Sequence, residues 1–324
     1  MEHGTCPRYK KFSTTFLHAL LFLTAAFCLF SCSKKETWIE VDPAFSKYID
    51  AYTTGTVSKT SAIRIKLAAD AGTTHTVGEA VKEDLFTISP SVKGKAYWLD
   101  AQSIEFKPDS WLKPDQVYEV NFKLGKVTKT PEQFSNFRFN IKTIKPSFKV
   151  TQDGLRGNGI KNKMTLGGDL ETADIEDGKS VKKLLSATYN NKPLKINWQH
   201  NDAAKMHRFT IDNIDRQKTA TNVELRWNGK PMNMDVEGET DVTVPAEGDF
   251  KVLDVVAIYD AQQYASVQFS DAIAVGQDLT GLITISEQPD ISYTINGSEV
   301  KVFGNGKLDG NYTVNINPGI KNTW

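Results

Sequence analysis

Tyr118-Glu119-Val120-Asn121-Phe122 (residues 118–122) decides the fold, because its side chains alternate strictly between apolar and polar. An alternation with a period of two puts the apolar side chains of a β-strand on one face and its polar side chains on the other. The pattern recurs at residues 63–67 and 137–141, and turn residues separate these short strands. The sequence therefore predicts an all-β chain of tandem Ig-like β-sandwiches.

The C-terminal third of the chain repeats the N-terminal third. Residues 86–89, 103–106 and 118–122 match residues 283–286, 299–302 and 312–316, at separations of 194 to 197 residues. Because order and spacing are both preserved, the repeat indicates two copies of one sandwich on either side of a different middle segment.

Each copy also carries a tyrosine close to a turn. Tyr118 follows Pro114, and Tyr312 follows Gly310. In Ig-like sandwiches a tyrosine at the start of a late strand hydrogen-bonds through its hydroxyl to upstream backbone. The spacing predicts such a tyrosine corner in each copy, and two ordinary strand tyrosines are the alternative.

These patterns divide the chain into five predicted segments. They are a leader (1–32), a polar tether (33–60), a first sandwich (61–144), a second β-rich domain (145–248) and a third sandwich (249–324). In the second domain, Val181, Leu184 and Leu185 have helical spacing and predict one short helix between Lys179 and Ala187. The third sandwich lacks a counterpart of residues 137–141, so we expect it to be truncated.

The leader is interpreted as a lipoprotein signal peptide. Basic residues precede an apolar run from Phe16 to Phe30, which is shorter than the roughly 20 residues that a membrane-spanning helix needs. Leu29-Phe30-Ser31-Cys32 resembles the bacterial lipobox, in which a peptidase cuts before a cysteine that carries lipid. Cys32 is therefore the predicted lipid attachment site, and a lipid bilayer is the predicted partner. A plain signal peptide cleaved elsewhere, or an uncleaved anchor, is the alternative.

Composition excludes several classes of function. The chain has 39 basic and 39 acidic residues and a pI near 7.0, so no excess of positive charge indicates a nucleic-acid partner. Its three cysteines all lie within the first 32 residues. The body of the chain therefore holds no disulfide, thiolate metal site or thiol nucleophile.

No catalytic pattern emerges from the motifs. Asp177-Gly178-Lys179-Ser180 resembles the end of a phosphate-binding loop, but Ala173 stands where the upstream glycine is required. The sequence also lacks the G-x-S-x-G motif of serine hydrolases. We predict that the chain is not an enzyme and has no catalytic residue, cofactor or metal site.

Three groups of residues deserve a separate interpretation. His200 and His207 do not have the spacing of a helical ligand pair, so we expect exposed loop residues rather than a metal site. The acidic run at 169–177 is expected to begin the short helix, with Asp177 as its cap. Trp111 lies in the loop between Pro108 and Pro114, and packing beneath the corner is favoured there over contact with a ligand. Trp198 and Trp227 are predicted core residues.

An ordered set of motifs is similar to a known family. The set consists of Phe86-Thr87-Ile88-Ser89-Pro90, residues 93–98, residues 103–108, residues 111–118, residues 248–255 and residues 312–322. It resembles the N-terminal macroglobulin-type domains of bacterial alpha-2-macroglobulin lipoproteins of the Bacteroides type, over residues 37–324. The resemblance implies a protease trap with a bait segment and, in some members, a Cys-Gly-Glu-Gln thioester. Because no cysteine follows Cys32, the thioester is absent here and no reactive residue is carried over.

Two functions compete at this point. The resemblance implies the N-terminal scaffold of a membrane-tethered protease inhibitor, with target proteases as partners of the remaining part. The alternative is a surface lipoprotein whose Ig-like domains bind a glycan or a protein. Either protein is expected in the bacterial cell envelope, anchored at Cys32 and facing the periplasm rather than the cell surface. The sequence predicts no oligomeric state.

Overall fold

The computed structural model describes residues 38–72, 75–259, 261–306 and 309–324. The predicted leader and Cys32 lie outside the described residues. The chain is almost entirely β-structure, arranged as tandem Ig-like sandwiches, as predicted. No described helix is both long enough and apolar enough to cross a membrane.

The first sandwich has two four-stranded sheets, ordered β1-β3-β6-β5 and β2-β8-β7-β4. Its strands are β1 (Ile49–Tyr52), β2 (Gly55–Val57), β3 (Ile63–Leu67), β4 (Phe86–Ser89), β5 (Gly94–Trp98), β6 (Ser103–Pro108), β7 (Val117–Phe122) and β8 (Phe137–Thr143). Short 3-10 helices lie at Pro43–Lys47, Leu124–Lys126 and Glu132–Phe134. The alternating apolar residues of β3, β7 and β8 are all buried in its core, which confirms the period-two prediction.

The prediction of a tether over residues 33–60 is wrong for the described part of that segment. Residues 43–57 form a 3-10 helix and the strands β1 and β2. Ile49 is buried in the first core, and Tyr52 packs against it. An edge strand buries only part of its side chains, so many of its residues can be polar. The polar composition of this segment therefore did not predict the two edge strands.

The middle segment forms the sheets β13-β14-β10-β9 and β12-β11-β15-β16. Its strands are β9 (Phe148–Gly157), β10 (Lys163–Thr172), β11 (Leu185–Tyr189), β12 (Lys192–Pro193), β13 (Asn197–Asn201), β14 (Met206–Asp215), β15 (Thr221–Asn228) and β16 (Glu237–Val244). The helix α1 (Gly178–Val181) and a 3-10 helix at Lys230–Met232 complete it.

The predicted short helix exists but ends earlier than its spacing indicated. The side chain of Asp177 accepts a hydrogen bond from Lys179 N, which confirms it as the cap of α1. Leu185 does not continue the helix but begins β11, where it pairs with Trp227. Pairing with a neighbouring strand overrides local helical spacing here, because tertiary packing is worth more than intrinsic propensity.

The third sandwich repeats the strand order of the first. Its strands are β17 (Val252–Tyr259), β18 (Gln263–Phe269), β19 (Ile283–Ile285), β20 (Ser292–Asn296), β21 (Glu299–Phe303) and β22 (Val314–Ile316). The sheet β17-β18-β21-β20 corresponds strand by strand to β1-β3-β6-β5, and the pair β19-β22 corresponds to β4-β7. Among the described residues its second sheet has two strands, against four in the first sandwich. The domain limits at 144/145 and 248/249 stay predictions.

A buried ion pair joins the first sandwich to the middle segment. Lys59 Nζ lies 2.7 Å from Glu176 Oε1, and both side chains are almost fully buried. Beside this pair, Asp174 accepts hydrogen bonds from Ser58 Oγ at 2.6 Å and from Lys59 N at 2.8 Å. Two residues of the acidic run therefore bind the preceding sandwich rather than the start of the helix.

A second buried ion pair joins the middle segment to the third sandwich. Arg216 Nη1 lies 2.7 Å from Asp271 Oδ1, with side chains 1% and 7% exposed. The same guanidinium donates to the carbonyl oxygens of Ala246 and Asp249 in the connecting segment. Close by, a Cβ added to Gly157 would lie 2.9 Å from the carbonyl oxygen of Ser270, so only glycine permits this approach of the two backbones.

We expect Asp278 in the third sandwich to titrate at an unusually low pH. Hydrogen bonds from the side chain and backbone of Thr280 and from the hydroxyl of Tyr293 lower its pKa from 3.8 to about 2. Because the folded-state pKa lies below the unfolded value, this carboxylate stabilises the fold above pH 3.8, and its contribution is lost as the pH falls through 2. NMR titration of the carboxyl group measures this pKa.

Tyr293→Phe is the matched variant for this titration. It removes one donor, at 2.8 Å from Asp278 Oδ1, and should move the pKa back towards 3.8. An unperturbed Asp278 in the wild-type chain would contradict the hydrogen-bond arrangement.

Candidate functional site

An open groove on the first sandwich is the strongest candidate site among the described residues. It has a volume of about 760 Å³ and lies beside Trp111, which is 53% exposed. Its lining is mostly polar and consists of Thr53, Lys59, Thr60, Ser61, Ala62, Arg64, Glu105, Lys107, Pro108, Asp109, Ser110 and Trp111. A groove of this size is in the range that binds small ligands.

The outer face of one sheet builds the floor of the groove. Arg64 on β3 is the register partner of Glu105 on β6, and Arg64 Nε lies 2.6 Å from Glu105 Oε2. Lys107 follows two residues after Glu105, so its side chain shares the same face of the sheet. The strict alternation of β3 and β6 is what places these charged side chains outside while Ile63, Ile65 and Ile104 fill the core.

Hydrogen bonds hold the two residues of the corner loop that directly follow Trp111. Leu112 is buried, and its N–H donates to the carbonyl oxygen of Lys59 at 2.8 Å. Lys113 N donates to the hydroxyl of Tyr118 at 2.9 Å, which is the hydrogen bond that defines the predicted tyrosine corner. Thr143 Oγ1 donates to the carbonyl oxygen of Lys113 at 2.6 Å. The backbone segment next to Trp111 is therefore fixed by hydrogen bonds.

The second predicted corner is weaker. Tyr312 donates its hydroxyl to the carbonyl oxygen of Asp309 at 3.4 Å. Its ring packs against the third core as a partly buried residue. Tyr312 thus occupies the position that corresponds to Tyr118, but its hydrogen bond is longer.

Charges within the groove largely compensate one another. Lys59 Nζ lies 4.9 Å from the centre of the Trp111 ring while it also pairs with Glu176, and Arg64 pairs with Glu105. The other two charged residues of the lining, Lys107 and Asp109, have opposite signs. A groove with balanced charges favours a neutral polar ligand over a phosphate or another strong anion.

The structure corrects the interpretation of Trp111. Packing beneath the corner was expected, but the buried residue there is Leu112, and Trp111 faces the groove. Leucine and tryptophan are adjacent, so the sequence alone does not say which of the two enters the core. Trp198 and Trp227 do pack against the core, as predicted. The sequence did not predict the pair of Arg64 and Glu105 in the groove. The polar positions in the alternating pattern of β3 and β6 could have indicated it.

Tyr118→Phe should destabilise the corner. The variant keeps the buried ring and leaves the Lys113 N–H without its partner, which costs about 1 to 2 kcal/mol of free energy of unfolding. Urea denaturation measures the change. Tyr312→Phe is the matched control and should cost less, about 0.5 kcal/mol, because its hydrogen bond is long. Equal losses in the two variants would contradict the assignment of the corner to Tyr118.

The two histidines lie together on the hairpin of β13 and β14. His200 and His207 are register partners, and their Nδ1 atoms are 3.0 Å apart. The expectation of two exposed loop residues is wrong, because His207 is fully buried and His200 is half-buried within a strand. Asp202 Oδ1 lies 3.7 Å from His207 Nδ1. This is the group of side chains that best suits a metal ion in the part of the chain described.

Comparison with known proteins gives no family. No family profile matches the chain, and no curated protein matches it either. Among solved structures it is similar to domains 4–9 of the surface layer protein SbsC, with 14% identity and a TM-score of 0.36 over 85% of this chain. The chain spans 46% of the length of that fragment, domains 4–9.

Two further solved structures are similar over most of this chain. The ectodomain of mouse nectin-like molecule 4 is 11% identical, with a TM-score of 0.25 over 78% of this chain and 88% of its own. A Bacteroides ovatus protein, SGBP-B of a mixed-linkage glucan utilization locus, is 11% identical, with a TM-score of 0.22 over 88% of this chain and 62% of its own. All three TM-scores are below 0.5, so none of these similarities indicates a function for the chain.

Proposed function

We propose that the chain is a non-catalytic protein of the bacterial cell envelope whose first sandwich binds a neutral glycan in the Trp111 groove. The observation that carries this proposal is a half-exposed tryptophan on an anchored loop beside a groove lined by hydroxyls and compensated charges. The protein would thus be an Ig-like binding protein, the alternative that the sequence left open.

The chemistry of a sugar ring suits this arrangement. A pyranose has an apolar face of C–H groups and a rim of hydroxyls. An indole ring offers a large, rigid apolar surface for the face. Arg64, Glu105, Lys107 and Asp109 offer donors and acceptors for the rim. Since the tyrosine corner holds Trp111 before a ligand arrives, little conformational entropy is lost on binding.

The envelope location rests on the leader. We propose that acyl chains on Cys32 tether the body to a bilayer, because several chains inserted together give stable anchoring at about 0.8 kcal/mol per buried methylene group. Radiolabelled palmitate incorporation that disappears in Cys32→Ala tests the anchor independently of any glycan.

A glycan microarray tests the binding function. The purified chain should bind at least one neutral polysaccharide on the array, and Trp111→Ala should lose those signals. Trp38→Ala is the matched control, because Trp38 is 48% exposed and does not line the groove. No binding to any glycan, or equal binding by Trp111→Ala, would oppose the proposal.

The scaffold of a protease trap is the second candidate. The two junctions favour it, because buried ion pairs at Lys59–Glu176 and Arg216–Asp271 hold successive sandwiches together, as a scaffold requires. The DNA that follows the Trp324 codon tests it. Further sandwiches with a bait-like stretch or a Cys-Gly-Glu-Gln motif would support the trap, and an immediate stop codon would oppose it.

A further inference from the structure

The hairpin of β13 and β14 brings three metal-ligating side chains to one point. His200 and His207 face each other across the two strands, and Asp202 lies in the turn between them. One ligand atom of each residue lies within 4.8 Å of the other two. Because the ligands come from a single hairpin, its short turn alone sets their spacing.

Hydrogen bonding does not satisfy this cluster. Asp202 Oδ1 and the Nε2 atoms of both histidines are buried without a hydrogen-bond partner. Buried polar atoms almost always have a partner, so the unpartnered Asp202 Oδ1 beside the two facing Nδ1 atoms indicates a missing ligand. Two neutral imidazoles can share only one N–H between their Nδ1 atoms, which leaves the carboxylate oxygen without a donor. A cation between the three side chains would satisfy the facing lone pairs at once.

Two of the three ligand separations are close to those of a tetrahedral transition-metal ion. Ligands bound to zinc at about 2.0–2.1 Å in tetrahedral geometry are about 3.3 Å from one another. The observed separations of 3.0 Å between the Nδ1 atoms and 3.7 Å from His207 Nδ1 to Asp202 Oδ1 lie on either side of that value. Calcium and magnesium prefer shells made of oxygen ligands, which two imidazoles do not supply.

Neighbouring residues also fix the position of the His200 ring. Trp198 stacks on His200, with ring centres 5.6 Å apart and an interplanar angle of 11°. A Cβ added to Gly178 would lie 2.5 Å from His200 Cγ, so the first residue of α1 must be glycine for this contact.

We propose that His200, Asp202 and His207 bind one zinc ion, with a water molecule in the fourth position. The site would tie the start of α1 to the hairpin through the contact of Gly178 with His200. This proposal differs from the sequence-based expectation, which considered helical ligand spacing, because the turn sets the separation of ligands on facing strands of a hairpin.

Isothermal titration of the EDTA-treated full chain with zinc chloride tests the site. We expect one zinc ion per chain and a rise in Tm on binding. His207→Gln should weaken binding by at least about 100-fold, since loss of an outer-sphere partner alone costs about 10- to 100-fold. Substitution of cobalt for zinc should give the visible absorption of a tetrahedral centre.

Two further variants keep this test decisive. Asp202→Asn changes a side chain that is 47% exposed, so it should weaken zinc binding without unfolding the chain, even if His207→Gln does not fold. His75→Gln is the control, because His75 stacks on Trp98 in the first sandwich and should leave zinc binding unchanged. Absence of zinc binding in the wild-type chain, or unchanged binding in Asp202→Asn, would overturn the proposal.

Discussion

Arg216→Ala is expected to lower the free energy of unfolding by about 3–5 kcal/mol, because it leaves the carboxylate of Asp271 uncompensated inside a nearly dry junction. The variant also removes the donors that Ala246 and Asp249 use for their carbonyl oxygens. Loss of a buried charge partner lowers the free energy of unfolding far more than loss of one hydrogen bond. The remaining charge stays buried, and no partner then offsets its desolvation penalty. Urea denaturation followed by circular dichroism measures the change.

Arg138→Ala is the matched control for this variant. Arg138 pairs with Glu119 on the surface, with side chains 58% and 39% exposed, and solvent screens this pair. Its loss should cost less than about 1 kcal/mol. If Arg216→Ala were no more destabilised than Arg138→Ala, the buried junction described here would be wrong.

Trp111→Ala is expected to weaken glycan binding by about 30-fold or more, once a ligand has been identified on the array. Truncation of a tryptophan at the centre of a binding site typically costs at least about 2 kcal/mol. Isothermal titration calorimetry measures the affinity. The fold should be unaffected, because Trp111 is exposed and Leu112 is the residue that enters the core.

Trp111→Tyr separates stacking from other effects. A tyrosine retains an aromatic face, so we expect it to recover part of the affinity. Trp38→Ala should bind like the wild-type chain. An affinity of Trp111→Ala equal to that of the wild type would place any bound glycan elsewhere.

Much of the fold could be predicted from the sequence, because the alternation of apolar and polar residues along a strand indicates which side chains are buried. The apolar phases of β3, β7 and β8 are buried as expected, and the repeat correctly paired β4-β7 with β19-β22. Predictions failed where tertiary contacts outweigh local pattern. Leu185 begins a strand instead of ending a helix, and residues 43–57 join the first sandwich despite their polar composition.

The candidate sites were harder to predict, because each depends on residues far apart in the chain or on the register of a hairpin. The groove joins Arg64 and Glu105, which are 41 residues apart, and the register of β3 and β6 is not readable from either strand alone. His207 is buried on β14, a central strand of its sheet, and this position is not readable from the histidine spacing. Cys32, assigned from its own neighbourhood, stays a prediction.

Fluorine NMR of the chain labelled with 5-fluorotryptophan tests the proposed function most directly. The six tryptophans give six signals, which single Trp→Phe variants assign. On titration with a glycan selected on the array, we predict that the Trp111 signal shifts in proportion to saturation while the other five stay in place. A shift confined to other tryptophans, or no shift at saturating glycan, would contradict binding in the Trp111 groove.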